Sequence, residues 1–100
     1  MATSTQRGAS EIVQTRHPLG KQNKPVDKRN YELFEAAIVT VLSGRELTHT
    51  ELVHEVTTYL RDTFDGNVSW HTMTVKLDLE ARRIIERTSS KPQRYRLLLR

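Results

Sequence analysis

A mainly α domain is predicted, three helices closed by a small C-terminal β-hairpin, behind a flexible N-terminal tail. Three observations predict it. Apolar residues recur at three- and four-residue intervals between about residues 28 and 82, they alternate with a period of two near the C-terminus, and residues 1–27 show neither period. Three helices followed by a hairpin is winged helix-turn-helix order, which places the domain at residues 28–100.

Residues 1–27 are rich in Ser, Thr, Gln, Gly, Pro and Lys, and Ile12, Val13, Leu19 and Val26 are too scattered to build a face. They read as a disordered or loosely docked basic tail. Pro18 and Pro25 push the residues before them away from helical geometry. From about Asp27, Tyr31, Phe34, Ala37, Ile38, Val41 and Leu42 form one helical stripe, and Gly44 marks its end near Ser43. Glu46 and Leu47 read as a very short strand. Thr48 and Glu51 have the spacing of a capping box, opening a second helix whose buried face is Leu52, Val53, Val56, Tyr59 and Leu60. Asp65-Gly66-Asn67 is a turn, and Ser69 is the expected N-cap of a third helix through about Arg82. That helix has two stripes, Thr72–Val75–Leu79 and Trp70–Met73–Leu77–Ala81, so it is expected to be covered on two sides. Ile84–Arg87 and Gln93–Leu99 read as strands around a Thr88–Pro92 loop, with Tyr95, Leu97 and Leu99 alternating with Arg94, Arg96 and Leu98. Phe34, Ile38, Leu52, Val56, Val75 and Leu79 are expected to meet in one core.

With 100 residues the chain has room for a single core. It lacks the run of about 18 apolar residues that spans a bilayer and the apolar centre of a secretory signal, so no membrane partner and a cytoplasmic location are expected. The absence of cysteine removes disulfides, thiolate metal sites and thiol nucleophiles. Net charge is +4, divided as +4 over residues 1–30, −5 over 31–65 and +5 over 66–100. The basic C-terminal third is a candidate polyanion surface.

The segment VKLDLEARRIIER, residues 75–87, resembles bacterial regulators of the multiple-antibiotic-resistance type where the recognition helix passes into the wing. The resemblance implies core positions for Val75 and Leu79, a wing strand at Ile84 and Ile85, and an exit toward the wing tip at Arg87. Where those regulators often hold Gly, this sequence has Arg83, so the turn must avoid a positive φ or tolerate strain. The long helices through which they dimerise have no counterpart here, and the resemblance carries no dimerisation or ligand sensing. The Lys24–Tyr31 entry and the LDLEAR run also resemble a family of short bacterial winged-helix proteins, which implies a fold without an activity.

No catalytic constellation is expected. His54-Glu55 begins a metalloprotease-like pattern, but Thr58 stands where the second histidine belongs, and His17, His49, His54 and His71 read as exposed side chains rather than metal ligands. Glycines 8, 20, 44 and 66 are isolated, so no phosphate loop or cofactor is expected. Glu51 and Glu55 share a helix face on the solvent side, and Asn67-Val68-Ser69 reads as a turn and cap rather than a glycosylation site.

Binding of double-stranded DNA is the leading expectation. Ser69, His71, Thr72 and Thr74, with Lys76 a turn deeper, would face the groove, and Arg87, Lys91, Arg94 and Arg96 would contact phosphates from the wing. The helix is poor in Arg, Asn and Gln, so sequence-specific readout is not expected. The alternative is a protein-interaction module, contacting a partner protein or a second copy around Trp70, Met73 and Leu77. A flat basic strip on the third helix favours DNA and an apolar patch favours protein. Trp70 itself is expected to be a half-buried packing anchor.

Overall fold

Tyr31, Phe34, Ala37, Ile38, Val41 and Leu42, the expected stripe, are all buried along one side of α1 (Lys28–Leu42). The computed structural model describes residues 11–98. The Asp27 carboxylate caps α1 by accepting from the Arg29 amide at 2.9 Å, and Gly44 follows the helix with φ 76°, a left-handed geometry that suits glycine. After a two-residue strand, β3 (Leu47–Thr48), the capping box opens α2 (His49–Tyr59): the Glu51 amide donates to Thr48 Oγ1 at 3.1 Å and the Thr48 amide to Glu51 Oε1 at 2.9 Å. Leu52, Val56 and Leu60 are buried, whereas Val53 is half-buried and Tyr59 exposed, so the buried face of α2 is narrower than expected.

The third helix, α3 (Val68–Ala81), begins earlier than its expected Ser69 cap, because the Asn67 side chain accepts from the Trp70 amide at 2.9 Å. It leads through Arg82 into β4 (Ile85–Arg87), which pairs with β5 (Arg94–Leu97). β5 also pairs with β3, giving an antiparallel sheet in the order β3-β5-β4. Ile84 lies outside the strand, and Leu99, expected in the last strand, lies outside the described residues. Arg83 adopts φ 64°, so the turn tolerates a side chain in left-handed geometry, a cost of about 1–2 kcal/mol. The described residues thus form a small α/β domain of three helices and two small antiparallel sheets. Phe34, Ile38, Leu52, Val56, Val75 and Leu79 do meet in its core, joined by Leu60, Ile85 and Tyr95.

Residues 11–27 correct the expectation of a flexible tail. They form a hairpin of β1 (Ile12–Gln14) and β2 (Pro25–Asp27), with Ile12 opposite Asp27. Val26 and Thr15 are buried, and Thr15 Oγ1 donates to the Lys24 carbonyl at 2.5 Å. Two distant contacts fasten the hairpin loop to α3: the Arg16 amide donates to Asp78 Oδ1 at 2.7 Å, and Asn23 Nδ2 to the Thr74 carbonyl at 3.2 Å. Residues 1–10 of the expected tail lie outside the described residues.

Asp78 is wholly buried. A carboxylate removed from water is tolerated only when donors surround it, and here three do: the Arg16 amide, Arg82 Nε at 2.7 Å and the Tyr31 hydroxyl. Burial, followed by the bond to Asp78, pushes the Tyr31 phenol well above its ordinary range. One side chain therefore joins the hairpin, α1 and the C-terminal turn of α3. Asp78→Ala is expected to cost about 3–5 kcal/mol in urea unfolding, since Arg82 and the Arg16 amide lose a charged partner, and Tyr31→Phe about 1.5–3 kcal/mol for one bond to a charge. Unchanged midpoints for Asp78→Ala would contradict this.

Candidate interaction surface

The nine residues expected to contact DNA do not share a surface. Ser69 and Lys91 face solvent, the second without an ion pair among the described residues. His71 is half-buried: its Nδ1 donates to the Asn67 carbonyl at 2.8 Å, and its ring stacks on Phe34 at 5.0 Å beside Phe64 and Trp70. Thr72 and Thr74 are fully buried, with no hydrogen-bond partner for either hydroxyl among the described residues. The helical periods explain this, because Thr72 lies with Val75 and Leu79 on the core side while Thr74 lies under the hairpin loop through its own carbonyl.

Lys76 is only 5% exposed. Its ammonium donates to His49 Nδ1 at 3.2 Å and sits 4.0 Å from the centroid of the Tyr95 ring, a cation–π contact. It therefore ties α3 to α2 and β5 and is not presented to a phosphate. Burial, and then the neighbouring ammonium, hold the His49 imidazole below its ordinary pKa, so the neutral ring is the form the fold accepts.

The arginines of β4 and β5 are paired with acids. Both sides of the Arg87 guanidinium grip the nearly buried Glu80 carboxylate, at 3.0 and 2.7 Å, a bidentate bond that raises the Arg87 pKa. Arg96 lies between Glu86, 2.7 Å away, and Glu46, 2.9 Å away, and Arg94 reaches Glu51 at 3.5 Å. Two of these acids come from the acidic middle of the sequence, so the folded chain interleaves the charges that the sequence segregates. Exposed pairs of this kind add little stability, but each lowers the local positive potential a polyanion would meet.

Beyond Ser69 in its first turn, α3 shows solvent an apolar strip. Contrary to the expected two-sided cover, its second stripe is an outward strip: Trp70 and Leu77 are half-buried and Met73 is 42% exposed. The core lies behind Val75 and Leu79, the hairpin loop flanks Thr74 and Asp78, and Lys76 and Glu80 reach β5 and β4. Trp70 packs against the core edge, as an anchor residue would. Sequence reasoning passed over Asp78; an acid inside the buried Val75–Leu79 run, four residues before Arg82, was the available signal. Among the described residues no group of His, Asp and Glu converges as a metal site, and no helix is long and apolar enough to cross a membrane.

His49 gives the fold a pH dependence of definite sign. Its folded pKa lies below the unfolded value of 6.5, so its contribution is complete above that value and is lost as pH falls below it. Between pH 8 and 5 the melting temperature of the wild type is expected to fall more than that of His49→Gln, which keeps an acceptor for Lys76 without titrating. Parallel profiles would contradict the buried Lys76–His49 contact.

No curated protein and no solved structure matches the chain. Residues 12–95, from the first strand of the hairpin through Tyr95 of β5, match DUF6958, and the chain belongs to this family of unknown function.

Proposed function

We propose that the domain is a winged helix-turn-helix used for protein binding, without catalysis, through the outward strip of α3. The winged assignment is supported by the element order α1–β3–α2–α3–β4–β5 and by the short strand between the first two helices pairing with the last strand. The observation that carries the binding assignment is the strip itself, Trp70, Met73 and Leu77 on the helix that would otherwise read a groove. Aromatic residues and Met are the types enriched at protein interfaces, and a Trp set in packed surroundings is a common binding anchor.

Geometry adds to this. A major groove about 12 Å wide admits a bare helix about 10–12 Å across, but α3 carries the hairpin loop against its Thr74–Asp78 flank. Helix insertion would bring that loop against a phosphate backbone. Duplex DNA remains the second reading, favoured by Lys91 at the loop between β4 and β5, which has no ion pair among the described residues, and by the excess of basic residues after residue 65.

Met73→Glu changes an exposed position and is expected to leave stability within about 0.5 kcal/mol. It should reduce stoichiometric capture of a native protein partner by more than about tenfold, while Lys91→Ala captures as wild type does. Duplex binding at about 50 mM salt that is lost with Lys91→Ala and retained by Met73→Glu would overturn the protein reading in favour of DNA.

A further inference from the structure

A pocket of about 490 Å³ lies beside the proposed interaction strip, between the β1–β2 loop and the α3–β4 turn. Its volume falls in the range of small-molecule sites. Its apolar lining comes from Pro18, Leu19, Leu77, Ile85 and Leu98. Leu19 is 74% exposed, a large aliphatic side chain at the rim with no core beneath it.

The charges around this lining are unequal in one respect. Glu80 and Arg87 neutralise each other, and Glu86 is taken by Arg96 from the neighbouring strand. Lys21 and Arg83 also line the pocket, and among the described residues neither has an ion-pair partner. The acids that line it are already committed, so its uncommitted charge is positive. His17, a further lining residue, accepts from the Leu19 amide through Nδ1 at 3.1 Å.

Arg83 supplies a second, independent observation. It holds φ 64°, where glycine is the low-strain residue, so the chain keeps a cationic side chain at the pocket against its backbone preference. Arg83 is exposed and has no ion pair among the described residues, so neither packing nor ion pairing accounts for it.

We propose that this pocket binds a small amphipathic carboxylate, its aliphatic body against Leu19, Leu77, Ile85 and Leu98 and its carboxylate toward Lys21 and Arg83. Four aliphatic side chains without an aromatic ring among them suit a flexible chain of several methylenes, and burial of each methylene contributes to binding. Two uncommitted cations set the sign of the headgroup, and a guanidinium grips a carboxylate with two parallel bonds. Leu77 belongs both to this pocket and to the outward strip of α3, so an occupied pocket alters one edge of the interaction surface.

Three probes with the same tail test this: octanoate, octan-1-ol and octylammonium, titrated into the full chain with methyl resonances of the four aliphatic residues as readout. Octanoate is expected to shift those resonances saturably, with octan-1-ol weaker and octylammonium at least tenfold weaker. Arg83→Gly removes the guanidinium at a position whose φ suits glycine, so the variant keeps its turn, and Lys21→Gln changes an exposed side chain. Each is expected to weaken octanoate at least fivefold and to leave octan-1-ol unchanged. Equal binding of octanoate and octylammonium, unaltered octanoate binding in both variants, or no saturable shift with any probe would overturn the proposal. None of these outcomes depends on Met73 or Lys91, so failure here is separable from failure of the protein-binding reading.

Discussion

The buried carboxylate of Asp78 is the constraint from which the arrangement of this domain follows. An isolated charge at that depth would be too costly to keep. It is kept because α1 offers a hydroxyl through Tyr31, the last turn of α3 a guanidinium through Arg82, and the hairpin a backbone amide at Arg16. Apolar contact alone is non-directional, and the hairpin adds few groups to the core, Val26 and Thr15 buried and Val13 half-buried against it. Its position beside α3 is therefore set by polar bonds with definite geometry, and the loop it carries sets the width of the helix left open to solvent.

Lys76 does on the opposite flank what Asp78 does beside the hairpin. Both are charged residues of α3 turned inward, one onto the Tyr95 ring and His49, the other onto the Tyr31 and Arg82 side chains. With its charged groups committed to neighbours on either side, the helix presents an apolar line, Trp70–Met73–Leu77. The surface chemistry of α3 is thus the opposite of what its composition implies: its cation is hidden and its methionine shown.

Helices were legible because each carries its own evidence. The α1 stripe and the α2 capping box are local patterns, and the structure reproduces both residue by residue. The hairpin was not legible, since its anchors connect residues 51 and 62 positions apart and leave no periodicity in either segment. Part of the expected site was misplaced for a related reason. Residues near the start of α3 were assigned to a groove by their hydrogen-bonding capacity, but helical phase puts Thr72 and Thr74 inside. Likewise, a charge total for residues 66–100 says nothing of Glu46 and Glu51, which the fold brings to Arg96 and Arg94. The positive φ at Arg83 was the one backbone feature whose alternatives, avoidance or strain, were stated from the sequence, and the structure adopts the strained one.

If polar anchoring fixes the hairpin, the hairpin must share the stability of the core, because Arg16 cannot leave without exposing Asp78. Amide hydrogen exchange of Arg16 measures this most directly. In the wild type its amide should exchange as slowly as core amides of α1, and in Asp78→Ala it should exchange far faster than those core amides. Exchange of Arg16 at the rate of an unstructured peptide in the wild type, with α1 still protected, would contradict the account.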